Sequence, residues 1–285
     1  MIQLPDCKGI HNLSRPVLDT YFRLSELEAQ GQALLLDNVL LLVGRVKKIF
    51  VYDGSSSDVD RTWKTALEFQ RKHNFTMYAM GEGPLKKKSK FVEAVYDLNK
   101  VFDPTSYKNA KKRHQRLVYP TRWMAANAEV RPLTLDDWEA IHALHDEWAA
   151  FKLERPNVFR MMFSTSRYNR CCLLALNDLE QYRTIGFFYK GELVSVRVFG
   201  VDHPNRIAYD LANFCCWWRI PSQFTEYANI IAMEILYEEA IGCLNAGAQL
   251  NKDLERFKHH YPCSELVSWS YPADKVVKKD DGIWG

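Results

Sequence analysis

The tightest constraint on how this chain can fold is the segment TIGFFYKGELVSVRVFGV, residues 184–201, in which large apolar side chains alternate on both sides of a KGE turn. That pattern reads as two antiparallel strands, and a hairpin this apolar must be covered rather than left in water. Helical periodicity on either side supplies the cover. LDDWEAIHALHDEWAAFKLE (135–154) and PSQFTEYANIIAMEILYEEAIG (221–242) both carry apolar residues at helical spacing. Thr134 is the expected N-cap of the first helix, with Asp136 and Asp137 in its first turn, and Gly242 is the expected C′ residue of the second. EVRPL (129–133), CCLLALN (171–177), RIAYDLANFCC (206–216) and ELVSWSYP (265–272) read as further strands.

The first hundred residues show a similar mixture. VLDTYFRLSELEAQ and DVDRTWKTALEFQRKHN read as helices, and ALLLDNVLLLVG, VKKIFVYDG and FTMYAM as strands. At 285 residues the chain is long enough for two modest α/β domains, each with its own core. The expected division is residues 1–104, a basic linker helix over 105–127, and residues 128–285. Seven cysteines include the adjacent pairs Cys171–Cys172 and Cys215–Cys216, with no CxxC spacing, so free thiols are expected; on strands each pair would point to opposite faces. No run of eighteen apolar residues occurs, and the expectation is a cytoplasmic protein without a membrane span. A net charge of +3 does not demand a polyanionic partner. The concentrated positive charge of Lys108, Lys111, Lys112, Arg113 and Arg116 in the linker raises that question locally.

Three stretches carry a family resemblance: VYDLNKVF (95–102), YKNAKKRHQRLVYPTRW (107–123) and LNAGAQLNKDLERFKHHYP (244–262). With the β-α-α-β-β-β-α-β order expected over 129–272, the chain resembles the GCN5-related N-acetyltransferase (GNAT) fold. It is more similar still to the phosphatidylglycerol lysyltransferase C-terminal-domain family, which pairs two such folds. Relatives of that family, the peptidoglycan-bridge aminoacyltransferases among them, move an aminoacyl group from aminoacyl-tRNA to an amine or hydroxyl. The resemblance implies an α/β protein of two consecutive GNAT-like domains with mixed sheets flanked by helices, the first non-catalytic and the second carrying the site. It implies an acyl- or aminoacyltransferase with no tightly bound cofactor, whose co-substrate is aminoacyl-tRNA or acyl-CoA. A catalytically inactive GNAT-like binding protein is the contrasting reading.

The chain departs from ordinary acetyl-CoA enzymes at the pyrophosphate loop, which here reads CCWWRIPSQFTEY (215–227) and contains no glycine. Without glycine the backbone N–H groups cannot approach a pyrophosphate in the usual way. The helix start after Pro221 still offers unpaired N–H groups, with Arg219, Ser222 and Gln223 nearby for an anionic donor.

Acyl transfer to an amine needs a base, a stabiliser for the oxyanion and an acid for the leaving group. Asp210 on the strand RIAYDLANFCC is the candidate base or amine-binding carboxylate, and Asn213 on the same strand is a candidate or a structural hydrogen-bonding residue. By resemblance to the family's L-x-x-F-K ending, Lys258 would face the donor phosphate or acyl carbonyl. Arg256, on the neighbouring helix face, joins the donor-binding set. Tyr261 is either a proton donor to the leaving group or a packing residue beside Pro262. Trp217 and Trp218 could stack on a base or pack in the rim, and Lys111, Lys112 and Arg113 could bind tRNA or DNA phosphates. His142 and His145 are three apart on one helix but lack a third partner at metal-ligand spacing, so no metal is expected. No GxSxG, P-loop or dinucleotide fingerprint occurs.

Overall fold

The computed structural model describes the backbone of four short strands between residues 32 and 79, then residues 89–107, 117–119, 127–154, 165–221, 224–248 and 252–271, and the single positions 68 and 122. The first strands are β1 (Gln32–Leu36), β2 (Val39–Val43), β3 (Lys48–Val51) and β4 (Thr76–Ala79). After them come β5 (Ser89–Asp97), the short helix α1 (Leu98–Phe102), β6 (Ala128–Pro132), α2 (Trp138–Glu154) and α3 (Thr165–Leu176). The hairpin strands β7 (Tyr182–Tyr189) and β8 (Glu192–Asp202) come next, then β9 (Ile207–Cys215), α4 (Phe224–Glu238), β10 (Cys243–Ala248), α5 (Lys252–Lys258) and β11 (Cys263–Tyr271).

The strands of both halves join into one mixed sheet of order β1-β2-β3-β4-β11-β5-β10-β9-β8-β7-β6. Only β3–β4 and β9–β10 pair in parallel among the described residues. Each half thus contains an antiparallel meander leading into one parallel pair, and the halves interlock at the centre. β5 leaves its own half to lie beside β10, while β11 reaches back between β4 and β5. The two mixed sheets expected of the halves are therefore continuous, because each half borrows a strand contributed by the other. Within the helices expected over 17–30, 58–74 and the basic linker, Glu68, Leu117, Val118, Tyr119 and Arg122 are helical, and most of the remainder falls outside the described residues.

The KGE turn forms as expected. Lys190 and Gly191 both have positive φ, 53° and 81°, the backbone that matches the twist of a two-residue hairpin. Val196, Val198, Ala212 and Phe214 bury against one face with Ile141 and Leu144 of α2 and Cys171, Cys172 and Ala175 of α3. Phe187, Phe199, Val201 and Ala208 bury against the other with Phe224, Tyr227 and Met233 of α4. Phe187, Phe199 and Phe224 are fully buried, each contributing about 1.5–3 kcal/mol by removal from water.

Two local expectations are corrected. CCLLALN is the end of helix α3 rather than a strand, with Cys171, Cys172, Ala175 and Leu176 buried and Leu173 exposed. A short apolar run has no decisive periodicity of its own, and here the buried positions recur at helical spacing. At the end of α4 the left-handed residue is Ala240 (φ 65°) rather than Gly242, and the Ile241 N–H donates to the Leu236 carbonyl in the closing turn. Gly242 instead donates its N–H to the Arg206 carbonyl and starts the run into β10.

Candidate active site

β9 and β10 pair in parallel only from Ile207–Cys243 to Tyr209–Asn245, although β9 continues to Cys215. Past Tyr209 and Asn245 the two strands part. The parting coincides with a bulge: Val198 pairs with Ala212 but Phe199 pairs with Asp210, so Leu211 is an extra residue on β9. Side chains alternate along a strand, and one inserted residue reverses the phase beyond it. The bulge places Asp210 on the face of Arg197, Phe199 and Asn213, against α4, instead of against α2 and α3.

Asp210 is half-buried and has no hydrogen-bond or ion-pair partner among the described residues. Burial pushes its carboxyl above the ordinary carboxylate range, with the charges of Arg197 and Lys258 pulling the other way. Arg197 is 5% exposed, and its Nε is buried without a hydrogen-bond partner. Burial lowers the pKa of this guanidinium, and Asp210 is the largest opposing influence. Guanidinium groups remain protonated in proteins, so the site keeps a fixed positive charge.

Lys258 projects from the end of α5 and is buried, donating through Nζ to the carbonyls of Ala246 and, at 2.6 Å, Gly247. Gly247 has φ 74°, and an added Cβ would lie 3.8 Å from Lys258 Nζ. Glycine at this position lets β10 turn its carbonyls toward the ammonium without steric strain. Burial draws the Lys258 amine down to about 8, against the pull of the Asp210 and Glu93 carboxylates. Glu93 of β5 accepts a 2.9 Å hydrogen bond from Asn245 Nδ2, while Asn245 Oδ1 accepts one from the Gly247 N–H at 2.8 Å. Burial is the largest influence on Glu93 as well and raises its pKa.

Tyr261 is buried, and its hydroxyl donates to Glu226 Oε2 at 2.5 Å; Glu226 Oε1 lies 2.6 Å from His260 Nδ1. Its ring also meets Tyr96 edge-on at 5.7 Å. Burial raises both phenols, so each is protonated at neutral pH. Tyr261 is thus a packed residue that fixes a carboxylate in the first turn of α4.

The remaining candidates are more peripheral. Asn213 is exposed, opposite Arg197 in the strand register. Arg219 has both arms engaged, one on Glu147 at 2.9 Å and the other on Glu192, which occupies the guanidinium expected to meet a donor phosphate. Trp218 stacks on Phe151 at 3.8 Å and donates to Glu147 through Nε1, while Trp217 is exposed and meets Phe151 edge-on. Arg256 is exposed on α5. His145 is buried beside Phe214, and His142 pairs with Asp146. Ser222, Gln223, Lys111, Lys112 and Arg113 lie outside the described residues.

Arg197, Glu93, Asn245, Glu226 and Tyr96 were not singled out from the sequence. Arg197 carried a legible signal, since it is the lone charge inside the apolar run VSVRVFGV, where an unpaired ion is costly. Glu93 and Asn245 carried none, because their meeting depends on the strand that crosses from the first half into the second.

The parted parallel strands, the bulge and the helices on both faces define an α/β protein of GNAT-like fold. In overall structure the chain is similar to a conserved protein of unknown function from Bacteroides thetaiotaomicron, at TM-score 0.62 and 13% identity over 90% of both chains. It is similar to the C-terminal domain of a proposed lysylphosphatidylglycerol synthetase from Agrobacterium fabrum, at TM-score 0.61 and 15% identity over 92% of both chains. It also matches L-PGS from Bacillus licheniformis, at TM-score 0.59 and 12% identity, over 92% of this chain and 93% of that one. No family model and no curated protein sequence matches the chain.

Proposed function

We propose that this protein is an acyl- or aminoacyltransferase that moves its group from an activated donor, aminoacyl-tRNA or acyl-CoA, to an amine or hydroxyl at the parting of β9 and β10. The observation that carries this reading is Asp210, a carboxylate without a partner among the described residues, on the same sheet face as Arg197 and under the electrostatic pull of Arg197 and Lys258. The overall likeness to L-PGS supports it.

In this reading Asp210 accepts a proton from the acceptor nucleophile, which attacks the donor carbonyl. Lys258 supplies positive charge toward the oxyanion that develops, and the low-dielectric surroundings strengthen that attraction. The bond to the leaving alkoxide or thiolate then breaks, and that group takes up a proton. The family resemblance points to aminoacyl-tRNA, and Lys111, Lys112 and Arg113 are the proposed phosphate contacts of a tRNA or DNA partner.

The test is single-turnover transfer by the purified chain, supplied in separate arms with labelled aminoacyl-tRNA and labelled acetyl-CoA. The reading requires transfer that falls roughly ten- to a thousandfold in Asp210→Asn or Lys258→Ala of unimpaired folding. Lys258 and Tyr261 are both held in internal hydrogen bonds, and this favours the second reading, a binding protein without chemistry. Binding of donor with no turnover in either arm selects it.

A further inference from the structure

Buried charges in a folded chain are ordinarily paired or hydrogen-bonded, because removing an ion from water costs several kcal/mol. Most charged groups around the parting obey this rule: Glu93 is held by Asn245, Glu226 by Tyr261, and Lys258 by two carbonyls. Arg197 and Asp210 do not. Arg197 is 5% exposed with its Nε unpartnered, and Asp210 has neither a hydrogen bond nor an ion pair among the described residues. The two face the same side of the sheet, since Arg197 pairs with Asn213 and the bulge aligns Asp210 with Phe199 two residues along β8. Each influences the other electrostatically, yet they form no salt bridge. Diagonal cross-strand neighbours of this kind are separated by about 7–8 Å at the backbone, within reach of one small zwitterion.

We infer that the guanidinium of Arg197 and the carboxylate of Asp210, neither paired with the other among the described residues, form a slot for a free α-amino acid, with the ligand carboxylate on Arg197 and its amine on Asp210. The planar fork of arginine matches a carboxylate in two parallel hydrogen bonds, and a full negative charge offsets a buried cation better than a neutral carbonyl does. A dicarboxylate would be repelled by Asp210 and a diamine by Arg197, so the slot selects a zwitterion. Its occupant is the acceptor, because an aminoacyl donor has its carboxyl esterified and brings no anion to Arg197. The chemistry after binding rests on the transferase reading. The amine gives its proton to Asp210 and attacks the donor acyl carbon. A C–N bond forms, the donor C–O or C–S bond breaks, and the leaving alkoxide or thiolate is protonated, giving an N-acylated amino acid.

The experiment is calorimetric titration of the full chain at neutral pH with each proteinogenic amino acid. The tightest is then compared with its primary amide, which lacks the carboxylate, and its desamino acid, which lacks the amine. The slot requires the free amino acid to bind roughly ten- to a hundredfold more tightly than either analogue, as expected for loss of a charge-assisted contact. Arg197→Met should erase the preference over the amide and Asp210→Asn the preference over the desamino acid. If Arg197→Met does not fold, Arg197→Lys, which keeps the charge but loses the fork, should narrow the preference over the amide. An amide that binds as tightly as the acid, or an absence of binding across the panel, overturns the inference. Acyl transfer to another acceptor without amino-acid binding leaves the transferase reading standing and this slot refuted. Amino-acid binding without turnover does the reverse.

Discussion

Arg197 and Asp210 share one face of the sheet only because β9 carries Leu211 as an extra residue between them in register. In an unbulged strand, Asp210 would lie on the face of Ala212 and Phe214, among the apolar residues of α2 and α3. Deleting Leu211 would instead leave Asp210 next to Ala212 and still opposite Phe199, so the carboxylate keeps the face of Arg197 on a regular strand. The deletion variant should therefore still lose transfer on Asp210→Asn, read as the single-turnover rate with and without that substitution.

The Asp210 carboxyl is raised by burial, so the ionised form required for proton acceptance disappears as pH falls through a value above the usual 3.8. A rate–pH profile should have an acidic limb displaced upward from an ordinary carboxylate, and the limb should be absent in Asp210→Asn. Stability runs the opposite way. A raised folded-state pKa means the folded chain binds a proton that the unfolded chain has already lost, so this group's contribution declines as pH rises through that window. Asp210→Asn should therefore melt at a higher temperature than the unsubstituted protein at neutral pH while losing transfer activity.

Lys258 titrates at about 8 in the folded chain, down from 10.5. If its charge assists the reaction, activity should fall as pH rises through about 8, and Lys258→Arg should carry activity past that limb. Between about 8 and 10.5 the unfolded chain binds the extra proton, so this lysine's contribution to stability rises with pH across that interval. Denaturant titrations of the unsubstituted protein and Lys258→Met over the same interval measure that difference.

Arg219 bridges Glu147 and Glu192 at the surface rather than standing open to a donor. Arg219→Ala should lower stability by only ~0.2–1 kcal/mol, as partly exposed ion pairs do, and leave donor affinity within a fewfold. A large loss of donor affinity at unchanged stability would return Arg219 to the donor site.

Gly186 stands where an added Cβ would come within 2.4 Å of Leu133 Cδ2, inside a packed core. Gly186→Ala should cost about 1–3 kcal/mol by overpacking, read as a shift in the denaturant midpoint at constant slope.

The sequence alone determined the elements whose signals are local. The hairpin over 184–201 comes from alternation and a turn that accepts positive φ, and α2 and α4 come from helical spacing, whereas Lys258 was picked out only through a family resemblance. Segment 171–177 was misread because seven residues of apolar sequence fit either period, and only packing against β7, β8 and β9 selects the helix. The bulge at Leu211, which sets the face of Asp210, leaves no local mark in the sequence. Tertiary structure decided which charges meet. Arg197, Asp210, Glu93, Glu226 and Lys258 come from β8, β9, β5, α4 and α5, and Glu93 reaches the others only because β5 is inserted beside β10. Electrostatic energy depends on distance and burial in space, neither of which is written in the spacing of residues along the chain.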